Sequence, residues 1–119
     1  MSDPDPDPVL TVTSGPHPAG PTLITVAGEL DFSTAADLRD VIHETHFTPV
    51  GVVIDLTGVE YCDSTGITVL VTASQQAAKA GSPLALAGLS DSLQRVFGIA
   101  GLYEVFSSYP TVDQAVGAL

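Results

Sequence analysis

The chain has 119 residues, 14 acidic and three basic, for a formal charge of -11, with 45% of residues apolar and 14% charged. That apolar content supports one hydrophobic core and argues against disorder along most of the length. The three cations, Arg39, Lys79 and Arg95, are dispersed, which excludes a docking surface for nucleic acid or anionic membrane, since both need clustered Lys and Arg.

Residues Ser2 to Pro8 alternate Asp and Pro. Repelling carboxylates and missing backbone donors predict an extended, mobile tail over residues 1–8, followed by one domain over residues 9–119. The tail holds three of the 14 acids, so eleven acids against three cations leave -8 on the domain. Met1-Ser2-Asp3-Pro4 lacks the basic start and apolar run of a signal peptide. No apolar run approaches a membrane span, and a lone Cys62 suits a reducing compartment. A cytoplasmic location is expected.

Val9 to Thr13 alternates as a short strand, and the proline-rich stretch Ser14 to Pro21 reads as a loop. Leu23 to Ala27 is a second strand, antiparallel to the first across that loop. Ser33 is the expected cap of a helix with Leu38, Val41, Ile42 and Thr45 on one face, reaching about His46. Val50 to Ile54 is a continuous apolar strand of the kind buried on both faces, ending at Asp55. A helix then begins near Ser64, with Ile67, Leu70, Val71, Ser74, Ala77 and Ala78 along one stripe and Gly81 as its stop. Leu84 to Ala87 is the next strand. Ser90 caps a third helix carrying Leu93, Val96 and Phe97, ended by Gly98. Tyr103 to Phe106 reads as a weak edge strand, and Thr111 to Gln114 is a capping box opening a last helix with Val112, Ala115, Val116 and Leu119 inward. Repeated strand–helix–strand crossovers imply parallel pairing and an α/β domain. Ligands and partners of such sheets meet the loops at the carboxyl ends of the strands, here Gly28 to Ser33 and Thr57 to Gly66.

Enzymatic chemistry finds little support. There is no phosphate-binding glycine loop, and Gly98 and Gly101 follow a helix, not a strand. His43 and His46 sit three apart without a third ligand, so a metal site is not expected. Ser64 lies at a strand-to-helix junction, but the nucleophile elbow would need glycine where Cys62 stands, and no late histidine supplies a base. The informative stretch is Asp63-Ser64-Thr65-Gly66-Ile67. Asp, Ser and Thr are good helix caps, and capping alone would account for them. The alternative is a regulatory hydroxyl: Ser64 beside free helix amides and the carboxylates of Asp63 and, as a second candidate, Asp55. Phosphorylation there would add roughly 1.5 to 2 negative charges without unfolding the domain.

Taken together, Gly28-Glu29-Leu30-Asp31, Ala36-Asp37-Leu38-Arg39, Asp55-Leu56-Thr57-Gly58-Val59, Asp63-Ser64-Thr65-Gly66-Ile67, Arg95-Val96-Phe97 and Gly101-Leu102 resemble the single-domain anti-anti-sigma factors, bacterial anti-sigma factor antagonists of the STAS fold. The resemblance spans about Val9 to Leu119. It implies a mixed four- to five-stranded sheet with about four helices packed mainly on one face. It implies that Ser64 is the phosphoacceptor, that the unmodified protein binds an anti-sigma factor and frees a sigma factor, and that this partner is a serine kinase escaping by phosphorylating Ser64. A phosphatase would reset the switch. ATP and Mg²⁺ would belong to the kinase, so no cofactor and no catalysis are expected of this chain. Asp31 matches the family's acidic residue near the phosphorylation site, and Asp31, Asp63, Ser64, Thr65, Gly66 and Ile67 form the expected partner surface. A STAS scaffold within a larger regulatory or transporter assembly is the main rival, and a small-molecule module a third possibility.

Overall fold

The computed structural model describes residues 9–119; the expected Asp/Pro tail lies outside the described residues. A five-stranded sheet in the order β1-β2-β3-β4-β5 forms the framework. Its strands are β1 (Leu10–Pro16), β2 (Thr22–Leu30), β3 (Val52–Cys62), β4 (Leu84–Ala87) and β5 (Ser107–Tyr109). Helices α1 (Ala35–Glu44), α2 (Ser64–Lys79), α3 (Asp91–Ile99) and α4 (Val112–Ala118) connect and cover them. β1 pairs antiparallel with β2, and every other neighbouring pair is parallel, as crossover helices require.

Alternation along β3 divides the two faces. Val52, Ile54 and Leu56 join Ile24, Val26 and Leu86 in the main core, which receives Leu38 and Ile42 from α1, Val69 and Leu70 from α2, and Leu93 and Phe97 from α3. Val53 points the other way, into a smaller cluster with Ala85, Ala87 and Ala115 that α4 covers. Three helices therefore lie on one face and a short one on the other, matching the expected mixed-sheet architecture.

Several boundaries differ from expectation. β1 runs on to Pro16, with Ser14, Gly15 and Pro16 opposite Ile24, Leu23 and Thr22, although Ser14 to Pro21 read as loop. β1 is an edge strand, where a proline's missing N–H deletes no ladder bond. Only His17 to Pro21 turns back, closed by the His17 N–H donating to the Pro21 carbonyl at 2.8 Å. Thr34, not Ser33, stands at the cap of α1. The buried face of α2 is Gly66, Val69, Leu70, Ala73 and Ala77; it shares Leu70 and Ala77 with the stripe read from hydrophobicity but is rotated towards Gly66, Val69 and Ala73. Glycine and alanine let that face lie close to the sheet, while Ile67 and Val71 pack at its margin. α3 passes through Gly98 to Ile99. Leu102–Glu104 forms a 3-10 turn, and the edge strand begins four residues later than expected, at Ser107, because Leu102 and Phe106 are drawn into the core.

The largest departure is in β3. Asp55 was the expected end of this strand, yet it continues to Cys62. Register shifts between Thr25 and Ala27, and between Gly28 and Glu29, each place an extra β3 residue opposite β2. Such bulges absorb the turn-like Thr57-Gly58 into the strand. Beside them, Gly28 adopts φ +113°, and a Cβ there would collide with the Val9 carbonyl oxygen.

Candidate functional site

β2 and β3 end side by side, with Leu30 opposite Cys62. The next residues of each strand build the site. Asp63 takes extended backbone and caps α2: the Thr65 and Gly66 N–H groups donate to its Oδ1 at 2.9 and 3.1 Å. Its second oxygen reaches the other loop, where the Phe32 N–H donates to Oδ2 at 3.2 Å. The Asp63 N–H in turn donates to the Leu30 carbonyl at 3.1 Å. One carboxylate thus fastens the loop after β2 to the helix after β3.

Asp31 organises its own loop. Its Oδ1 accepts from the Ser33 N–H at 2.9 Å, the Ser33 hydroxyl at 2.7 Å and the Thr34 N–H at 3.2 Å. The Ser33 hydroxyl bond holds the Asp31 carboxyl below its usual pKa, against the opposing effect of desolvation and with help from the amides. Thr34 is buried; its hydroxyl donates to the Glu29 carbonyl at 2.8 Å and accepts from the Asp31 N–H at 3.0 Å. That bonding leaves the Thr34 side chain without a capping bond to α1, whose first amide, that of Ala35, donates to the Asp31 backbone carbonyl at 2.8 Å.

Ser64 is the first residue of α2 and is exposed. Among the described residues its side-chain oxygen has no hydrogen-bond partner. The Thr65 and Gly66 amides, expected to be free for an anion, are already occupied by Asp63. Asp55 is not part of the site. It binds the Thr57 N–H and hydroxyl at 3.0 and 2.6 Å, and the length of β3 puts it about 20 Å from Asp63. Lys79 is at the opposite end of α2, about 22 Å from Ser64.

Beneath the loop, Gly66 is buried against Leu30 and Cys62. A Cβ on it would lie 2.6 Å from Leu30 Cγ and 2.9 Å from Cys62 Sγ. Ile67 is half-buried and packs on the core. The Cys62 thiol is half-buried and donates to the Asp63 carbonyl at 3.6 Å. Burial, and secondarily the Asp63 charge, pushes its pKa up to about 12, so the thiol is inert packing.

The structure thus brings Asp31, Asp63, Ser64 and Thr65 together at one end of the sheet and sets Gly66 and Ile67 below them. Two residues at this end escaped the sequence reading: Phe32, 80% exposed, and Tyr61, 53% exposed. An aromatic immediately after Leu30-Asp31, in a loop where no periodicity demands one, was the available signal for Phe32. Among the described residues no helix is long and apolar enough to cross a membrane.

A mixed sheet with three helices on one face, and an exposed serine opening a carboxylate-capped helix beside the ends of two parallel strands, define a small α/β domain. The STAS domain family model matches residues 10–115, and the chain belongs to that family. It is similar to the anti-sigma-B factor antagonist of Listeria monocytogenes serovar 1/2a, with 44% identity over 84 residues, covering 69% of this chain and 73% of that protein. It is also similar to the anti-sigma-F factor antagonist RsfB of Mycobacterium tuberculosis, with 32% identity, 98% of this chain and 92% of that protein covered. Among solved structures, an anti-sigma factor antagonist from Mycobacterium paratuberculosis superposes with a TM-score of 0.79 at 28% identity, covering 99% of this chain and 97% of that one.

Proposed function

We propose that this chain is a non-catalytic anti-sigma factor antagonist of the bacterial cytoplasm, switched by phosphorylation of Ser64. Unmodified, it binds an anti-sigma factor and frees a sigma factor; the anti-sigma factor, a serine kinase, ends the interaction by phosphorylating Ser64, and a phosphatase restores it. The observation that carries this reading is the exposed Ser64 side chain on a helix start that Asp63 already caps. The relatives named as antagonists support the same assignment.

The chemistry follows from charge. A kinase must bring the γ-phosphate of a nucleotide to Ser64 Oγ. Once transferred, that phosphoryl group carries roughly 1.5 to 2 negative charges and faces the phosphates of the remaining nucleotide. Within this chain, Asp63 adds repulsion, its capping bonds withhold two helix amides, and Lys79 is too far along α2 to neutralise the group. Like charges brought together across an interface are strongly unfavourable. The modification therefore ejects the partner while the fold persists.

Incubating the protein with ATP and the anti-sigma factor kinases of its own genome, followed by phosphosite mapping by mass spectrometry, tests the assignment. One phosphate on Ser64, lost in Ser64→Ala, is expected. Ser64→Asp should bind the same kinase roughly 100-fold more weakly than the wild type. Phosphate on another residue, or undiminished affinity of Ser64→Asp, would overturn it.

A further inference from the structure

Phe32 is the most exposed aromatic ring among the described residues, at 80%. Water-exposed phenyl surface adds nothing to folding, and the loop that carries this ring is fastened on both sides. Asp31 holds the Ser33 and Thr34 amides, the buried Thr34 hydroxyl bonds the Glu29 carbonyl, and Asp63 Oδ2 holds the Phe32 N–H. The same Asp63 carboxylate caps the helix that begins at Ser64. Phe32 and Ser64 are thereby kept in register with each other. With the backbone that carries the ring already held, binding has only the ring's own two torsions to order, and aromatic side chains with so little freedom to lose dominate interfaces.

The surroundings specify what can meet it. Glu29, Asp31, Glu60 and Asp63 stand at the ends of β2 and β3, and the domain from residue 9 carries eleven acids against three cations. A partner approaching this end gains from cations around its contact area and from an apolar recess for the ring.

Resting on the antagonist reading above, we propose that Phe32 is the apolar anchor of the complex. It inserts into an apolar pocket of the anti-sigma factor that is flanked by Arg or Lys facing Glu29 and Asp31. The anchor sets affinity, and Ser64, held in register by Asp63, sets whether the docked state persists.

The test is calorimetric titration of the full chain with the purified anti-sigma factor kinase that phosphorylates it. Phe32→Ala should bind roughly 30-fold more weakly with an unchanged melting temperature, and Phe32→Leu should recover part of the loss. Val50→Ala removes an exposed apolar side chain just before β3, at the opposite end of that strand, and should bind as wild type. The Phe32→Ala loss should persist at high salt, where screening removes the charge contribution. Phe32→Ala binding within twofold of wild type, while Ser64→Asp still binds roughly 100-fold more weakly, would overturn the anchor and leave the antagonist reading standing. A loss confined to low salt, or a Phe32-dependent dimer of this chain in sedimentation, would also overturn it. Should no anti-sigma factor of the genome bind the wild type, the antagonist reading fails and the anchor with it.

Discussion

Replacing Gly66 by alanine tests how the Ser64 helix is seated. The added methyl would stand 2.6 Å from Leu30 Cγ, 3.0 Å from Leu30 Cδ2 and 2.9 Å from Cys62 Sγ. Carbon atoms pack at about 3.5 to 4.0 Å, so a shift of about 1 Å is required. Leu30 is fully buried and cannot swing into solvent. Overpacking of this kind costs about 1–3 kcal/mol. The better helix propensity of alanine returns less than about 1 kcal/mol in a first turn. A net destabilisation of about 1–2 kcal/mol remains, or a fall of about 4–8 °C in melting temperature for a domain of this size. Thermal and urea unfolding monitored by circular dichroism measure it. A double-mutant cycle with Leu30→Ala isolates the cause: with Leu30 truncated, the Gly66→Ala penalty should shrink towards zero. An unchanged or raised melting temperature, or an equal penalty in both backgrounds, would refute the packing account.

Asp63→Asn should keep the α2 cap through its carbonyl oxygen while presenting an amide donor to the Phe32 N–H; hydrogen exchange should accelerate at Phe32 and stay slow at Thr65 and Gly66, whereas Asp63→Ala should lose protection at all three and cost about 1 kcal/mol more. With its pKa at about 12, Cys62 should react with iodoacetamide at pH 8 roughly a thousandfold more slowly than an unfolded-chain thiol, and a rate near that of the free thiol would contradict its burial. The same shift has a stability consequence. Because the folded thiol keeps its proton longer than the unfolded one, its stabilising contribution is full below about pH 9 and is lost as pH rises towards 12. Cys62→Ser should flatten that alkaline decline in urea titrations.

Local chemistry made much of the molecule legible before any tertiary contact was known. β4 falls at Leu84–Ala87 as its apolar run predicts. Ser90 and Thr111 cap their helices, with the Leu93 and Gln114 amides donating to their hydroxyls at 3.2 Å. Asp63 as cap and Ser64 as the first turn of α2 are equally local, because a cap bonds amides only two or three residues away. The mixed sheet follows from the order of strand and helix patterns. What the sequence could not carry was pairing. Thr57-Gly58 has the composition of a turn, and only a β2 neighbour able to accept two bulges keeps β3 extended to Cys62. That extension removes Asp55 from the site. It also carries Asp63 to where one oxygen caps α2 and the other holds Phe32, 31 residues earlier in the chain. Hydrophobicity named Leu70 and Ala77 correctly but put Ile67 and Val71 on the same inner stripe of α2; contact with Leu30 and Cys62 chose Gly66 in place of Ile67, because closeness of backbone and not apolar area decides which face meets the sheet there. Sequence alone therefore determined the family, the elements and the candidate serine. The tertiary structure decided that Asp55 lies away from that serine and that the Asp63 carboxylate also fastens the Phe32 loop, since both depend on strand register, a relation between segments distant in the chain.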